Sequence, residues 1–140
     1  EMRDYLYFDR RRDKSFVVCG ERKGAKLAVL RYRLGEEIEI KGKSVRAAYI
    51  ELETGRTHQI RVHALSQGFP LVGDDKYGDF AFNRECTHGL LGAPLKRMFL
   101  HAWKLRFAHP VTGEPVDITA PLPEELSAVI SALESKKAAQ

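Results

Sequence analysis

The segment Gly55-Arg56-Thr57-His58-Gln59-Ile60-Arg61-Val62-His63 concentrates imidazole, guanidinium, hydroxyl and amide groups in a short stretch. Read as a helix capped by Thr57 and running to about Gln67, it puts His58, Arg61, Val62 and Leu65 at i, i+3, i+4 and i+7. Those positions share one stripe. Ile60 and Ala64 form an adjoining apolar strip. Arg61 therefore stands among residues that favour burial. A buried guanidinium needs a carboxylate or phosphate, because an unpaired buried charge is strongly destabilising. Its planar fork suits a bidentate carboxylate. The helix start, with Gly55 allowing close approach and N–H groups free at 57–59, also makes a phosphate seat. Helix geometry alone fits equally well a plain helix with one snorkelling arginine and two surface histidines. Metal binding by His58 and His63 is rejected, since an i, i+5 spacing does not put two ligands on one face.

Around this helix the chain reads as strands and turns. Residues 16–19 form a short strand. Residues 26–34 alternate through Leu27, Val29, Tyr32 and Leu34, as a strand with one buried face does. Gly42 marks a turn. Residues 44–53 are apolar on both faces, which predicts a strand central in its sheet. Gly68 and Pro70 stop the helix. Residues 73–94 read as a long irregular connection of the kind that is functional or mobile. Met98 to Phe107 alternates as a further strand, with Leu100, Ala102, Leu105 and Phe107 available for burial. The turn His109-Pro110-Val111-Thr112-Gly113 leads into a hairpin partner at Val116–Thr119. Pro123 opens a last helix whose apolar face is Leu126, Val129, Ile130 and Leu133, and the tail after Glu134 is expected to fray. The expected class is α+β: a mainly antiparallel sheet with two helices packed on it.

The chain has 140 residues, 44% of them hydrophobic, enough for one domain with a real core. Its 23 Lys and Arg against 19 Asp and Glu give a net charge of +4, which suits a polyanion without demanding one. Arg10, Arg11, Arg12 and Lys14 form a basic cluster, followed by Arg22, Lys23 and Lys26; alone, it reads first as a solvated loop. Cys19 and Cys86 make neither a disulfide framework nor a C-x-x-C pair, and Cys86-Thr87-His88 lacks a second ligand pair for a metal. A reducing, cytoplasmic setting is expected. No signal peptide, and no apolar run able to span a membrane, is present in the sequence.

Three stretches resemble one family in order. Residues 55–63 match the G-R-S/T-H-Q-I/L-R-V-H signature of the large-subunit ribosomal RNA pseudouridine synthases. Gly68-Phe69-Pro70-Leu71-Val72-Gly73-Asp74-Asp75-Lys76-Tyr77-Gly78 is similar to the family's G-x-P-I/L-x-G-D-x-x-Y-G loop. Phe99-Leu100-His101-Ala102 through His109-Pro110 and Thr112-Gly113-Glu114 resembles its F-L-H-A to H-P-x-T-G-E stretch, and Ala120-Pro121-Leu122-Pro123 its closing segment. Upstream, Asp4-Tyr5-Leu6 and Ala25 to Arg33 are similar to a looser element, so the resemblance spans residues 3–133.

That resemblance implies a pseudouridine-synthase-like fold and isomerisation of uridine to its C-glycoside, with an Asp carboxylate and no metal or organic cofactor. Ribosomal RNA is the implied substrate, transfer RNA the other candidate. Arg61 would hold the catalytic Asp ionised. Leu100 would pack under the target base, and Gln59 and Ile60 would line the pocket. Arg56, Thr57, His58, His63, Lys76 and Tyr77 would meet the RNA.

The family's R-L-D-x-x-S/T-S-G motif, which carries the Asp, and its K-x-Y-x-A motif are not found in these 140 residues. Arg11-Arg12-Asp13-Lys14-Ser15 is a faint echo in the wrong order, which argues against Asp13 as nucleophile. The expectation is a fragment. Residues 1–134 would be the C-terminal part of the catalytic domain and 135–140 a frayed tail. Arg61 would lack its carboxylate, and the isolated chain would be inactive. The alternative is an RNA-binding module without the chemistry.

Overall fold

A computed structural model describes residues 1–139. Eight strands and three helices follow one another as β1 (Met2–Asp9), β2 (Lys14–Val18), β3 (Ala25–Leu34), β4 (Ile38–Ile40), β5 (Lys43–Val45), β6 (Ala48–Leu52), α1 (Gln59–Ser66), α2 (Phe80–Thr87), β7 (Lys104–Ala108), β8 (Pro115–Thr119) and α3 (Glu124–Ala139). Every strand pairing is antiparallel. The main sheet has the order β2-β1-β3-β6, while β4-β5 and β7-β8 are separate hairpins. The class is α+β, as the alternation in the sequence implies.

β3 owes its inner place to Ala28, Val29 and Leu30, buried in succession on both faces. The single buried face expected for this strand is thus corrected: strands buried on both sides read as continuous apolar runs, as Leu27 to Leu30 does. α1 packs on this sheet through Val62, which joins Leu6, Ala28 and Tyr77 in one core cluster. A second cluster gathers Ile40, Cys86, Leu91, Leu95, Leu126, Val129 and Leu133, so α2 and α3 share a core with β4. The expected apolar face of α3 is therefore buried at Leu126, Val129 and Leu133, with Ile130 at its margin.

Five further expectations are corrected. The strand read over 44–53 is broken at Arg46 and Ala47: β5 pairs with β4, and β6 pairs with β3. β6 is then an edge strand, not a central one, and Leu52 on it is 51% exposed. Apolar residues on both faces do not distinguish a central strand from an edge that lies open. The connection over 73–94 contains α2, so there are three helices. Its start is fixed by Asp79, whose side chain accepts from the Phe82 N–H at 3.1 Å, a side-chain cap at the N-terminus.

Of the stretch Met98 to Phe107, only the end from Lys104 is strand, and Leu105 is 58% exposed. The preceding residues are tied instead by single bonds such as Phe99 N–H to the Val72 carbonyl at 2.8 Å. α1 begins at Gln59, with His58 rather than Thr57 in the capping position. Finally, residues 135–139 continue α3 instead of fraying, with Lys136 and Lys137 in its last turn, where cations suit the helix dipole. No helix among the described residues is long and apolar enough to cross a membrane.

Candidate active site

Arg61 leaves α1 toward the turn over residues 71–77 and meets Asp74. Its Nε donates to Asp74 Oδ2 at 2.9 Å and its Nη2 to Oδ1 at 2.7 Å. Oδ1 also accepts the N–H groups of Lys76 at 3.0 Å and Tyr77 at 2.9 Å. Asp74 is fully buried, and the Arg61 side chain is only 15% exposed. Burial opposes ionisation of Asp74, but the bonds from Arg61, Tyr77 and Lys76 outweigh it and hold its carboxyl below the usual range. The same bond from Asp74 raises the Arg61 guanidinium further above its already high value. Asp75, fully solvated, approaches Nη2 at 3.3 Å.

Helix α2 fixes the turn that carries Asp74. Asn83 accepts the Gly73 N–H at 2.8 Å and donates to the Asp74 carbonyl at 2.9 Å. A Cβ at Gly78 would lie 2.2 Å from the Asp74 carbonyl oxygen and 2.8 Å from Asn83 Nδ2. Only glycine allows the turn to close this tightly.

Tyr77 is the hub of the site. Its ring is 2% exposed, against Leu6, Ala28 and Val62. The Arg61 guanidinium stands over one part of the ring at 5.0 Å and the Lys14 ammonium at 5.3 Å. Its hydroxyl accepts the Ser15 N–H at 2.7 Å and lies 2.8 Å from His58 Nδ1. Ser15 Oγ donates to the Thr57 carbonyl at 2.6 Å, closing the loop between β2 and the start of α1. One hydrogen bond joins the hydroxyl and His58 Nδ1, and a neutral imidazole satisfies it in either direction, since the hydroxyl has a second lone pair beside the one that takes the Ser15 N–H. Burial, then the nearby Arg61 charge, lowers the His58 pKa and agrees with the neutral state. His58 holds the left-handed conformation at φ 57°, a strain characteristic of functional sites. Lys76 Nζ donates to the Asp13 carboxylate at 2.9 Å and to the Asp13 carbonyl at 2.6 Å. The Lys76 hydrogen bond and charge hold the Asp13 carboxyl below its ordinary value.

The structure thus unites His58, Arg61, Lys76 and Tyr77, and adds Asp74, Ser15 and Asp13. It corrects several assigned roles. Arg61 does not lack a carboxylate, because Asp74 supplies one from within the chain. Thirteen positions separate the two, a distance no helical periodicity reveals, although Asp74 stood in the loop similar to the family's. Tyr77 is too buried to meet RNA. His63 is fully buried on the face of α1 toward β1, with Nε2 3.4 Å from Asp4 Oδ2, and is not a surface RNA contact either. Burial lowers its pKa, so it is neutral there.

Gln59 does not line an open pocket. It is buried, accepting from Thr54 Oγ1 at 2.8 Å and the Arg56 N–H at 3.0 Å, and donating to the Val29 carbonyl at 3.1 Å. It bolts α1 to β3. Arg56, exposed, donates from Nε to the Leu27 carbonyl at 2.9 Å. A Cβ at Gly55 would meet nothing within 4 Å, so no close approach requires glycine there, and the Gln59 N–H of the expected phosphate seat is already bonded to the Arg56 carbonyl. Thr57 is exposed, and Ile60 is half-buried on α1. Leu100 lies half-buried in the segment before β7, its carbonyl held by Arg97 Nη2 at 3.1 Å. Among the described residues no cluster of three or more His, Cys, Asp or Glu is placed to hold a metal ion.

No family model matches the chain. Ribosomal large subunit pseudouridine synthase C of Pasteurella multocida (strain Pm70) is 51% identical over 84 residues, 60% of this chain and 24% of that protein. The protein of the same name in Escherichia coli (strain K12) is 48% identical over 84 residues, 60% of this chain and 26% of that protein. The chain thus matches only about a quarter of the length of these curated relatives. Among solved structures, Human RNA Pseudouridylate Synthase Domain Containing 1 superposes with a TM-score of 0.63 at 24% identity, over 95% of this chain and 58% of that one. Over 60% of its length this chain is a sequence relative of the large-subunit ribosomal RNA pseudouridine synthases, and its fold is that of a pseudouridine synthase domain.

Proposed function

We propose that this chain forms the arginine-bearing part of an RNA pseudouridine synthase site, acting on uridine in structured RNA of the large ribosomal subunit. In this reaction the N1–C1′ bond of uridine breaks and a C5–C1′ bond forms. The C5 proton leaves, and N1 of the turned base takes a proton, so substrate and product are isomers. The target base must first leave its stack, as for other enzymes that do chemistry on a base.

The observation that carries this reading is the posture of Arg61 within residues 55–63. Asp74 and Asp75 take its Nε and Nη2. Nη1 is the part of the fork left to orient and charge a reacting carboxylate. Asp74 is not that carboxylate, because both its oxygens are committed and it is fully buried. Asp13 is turned to Lys76. The reacting Asp therefore belongs to an R-L-D segment outside these 140 residues, and the isolated chain does not isomerise uridine. Leu100 packs under the base, Ile60 borders it, and Arg56, Thr57, His58 and Lys76 face the RNA. The setting is the cytoplasm.

The test is to incubate the 140-residue chain with ribosomal RNA carrying uridine tritiated at C5, whose label is released as the new bond forms. No release is expected from the chain alone. Release by the chain alone would move the nucleophile to Asp13.

A further inference from the structure

The tip of the β1–β2 hairpin carries charge of which the site described above uses only Lys14, over the Tyr77 ring, and the Asp13–Lys76 pair. Arg10, Arg11, Arg12, Lys14 and the adjoining Lys76 set five cations against the carboxylates of Asp9 and Asp13. Both carboxylates are occupied. Asp9 Oδ1 accepts the N–H groups of Arg11 at 3.0 Å and Arg12 at 3.3 Å, and its Oδ2 faces Arg12 Nε at 3.7 Å. Asp13 is latched to Lys76 through both its carboxylate and its carbonyl. Among the described residues, Arg10, Arg11 and Lys14 have no ion-pair partner.

These groups border an open cleft of about 450 Å³ lined by Tyr7, Phe8, Asp9, Arg10 and Arg11. The Phe8 ring meets the His58 ring edge-on at 6.2 Å, so the cleft adjoins the Tyr77 hub. The β1–β2 register, Asp9 opposite Lys14, holds the tip at a fixed place, and the Asp13–Lys76 latch ties it to the turn that carries Asp74. Tyr7 and Phe8 project to opposite faces of β1, so only the Phe8 ring stands on the His58 side. Guanidinium groups beside it at the rim of a site suit a nucleic-acid strand: phosphate for the cations and one base face for the ring.

We propose that the β1–β2 tip is the subsite that grips the RNA backbone flanking the target nucleotide, with Arg10, Arg11 and Lys14 as phosphate contacts and the Phe8 ring, on the His58 side, against a neighbouring base. This rests on the reading of the chain as part of an RNA-modifying site.

The experiment measures binding of the 140-residue chain to a stem-loop RNA by fluorescence anisotropy across a salt series. Three phosphate contacts contribute about two units to the slope of log affinity against log salt. Arg10→Ala with Arg11→Ala and Lys14→Ala is expected to flatten the slope by about two units and weaken binding at least tenfold. Arg10→Lys with Arg11→Lys, which keeps the charge, should retain the slope and guards against a folding defect. Removal of Lys96, Lys104 and Arg106, the same charge on other elements, should leave the slope within half of one contact. Equal losses from both triple variants would overturn the subsite and leave only nonspecific attraction. Unchanged binding by the first triple variant would also overturn it, while failure of the unaltered chain to bind any RNA would overturn the RNA reading itself.

Discussion

Arg61 and Asp74 form the buried ion pair on which the proposed chemistry rests, and the pair also sets part of the stability. Arg61→Ala would leave the carboxylate of Asp74 buried without its cation, a loss of about 3–5 kcal/mol for a buried pair broken on one side, read in urea unfolding. Because the folded Asp74 carboxyl is held below its ordinary value, its contribution is present above the unfolded pKa of about 3.9 and is lost as pH falls through the folded value. His63 has the opposite chemistry and the same direction. Burial keeps it neutral, whereas the unfolded imidazole takes a proton near pH ~6.5. The unfolded chain then binds more protons, so stability falls as the solution is acidified below that value. His63→Phe is expected to flatten stability against pH between about 5 and 7; an unchanged slope would assign it to His58, which is shifted the same way. At this scale the sequence was legible for Arg61, whose surroundings demanded a carboxylate. It was misleading for Tyr77 and His63, because residue type does not reveal which polar side chains a fold turns inward.

Elements position these residues, and here the sequence was legible where periodicity spoke. The extent of β3, the core stripe of α3 and the β7–β8 turn follow from alternation, 3.6-residue spacing and turn chemistry, but the burial of β3 on both faces at Ala28, Val29 and Leu30 does not follow from its alternation. α2 was hidden because it is only eight residues long, buries only Cys86 and lies between flanking glycines. Its one signal was Asp79 ahead of Phe80, a capping residue at a helix start. The omission matters, since Asn83 on α2 clamps the turn that presents Asp74. Gly78→Ala should force the Asp74 carbonyl away and lower the unfolding temperature by several degrees, about 4–8 °C for each kcal/mol in a domain of 60–100 residues and less in a larger one. Leu126→Ala, in the core shared by α2 and α3, should cost about 2–5 kcal/mol without moving Arg61. Unfolding followed by near-ultraviolet circular dichroism checks both.

For the whole molecule, the class and the antiparallel order were legible, while the edge position of β6 and the exposure of β7–β8 were not. Those depend on which strands finally neighbour one another, and local alternation carries no such information. β6 leaves one side of the sheet unpaired, and Trp103 meets Tyr49 of that strand with ring centroids 6.3 Å apart. The exposed apolar residues Leu52, Leu105, Phe107 and Ile118 lie on these same elements. The site thus has a finished half, in which Arg61, Asp74 and Tyr77 are mutually satisfied, beside surface the described residues leave open. The central claim is that this half works as the arginine-bearing part of a pseudouridine synthase. It is tested most directly by exchanging the matching 84-residue segment of the Escherichia coli protein for that of this chain and assaying release of C5 tritium from ribosomal RNA. The exchange is expected to retain activity, and Arg61→Met within it to remove at least a hundredfold. A folded exchange protein without activity, or one indifferent to Arg61→Met, would contradict the claim.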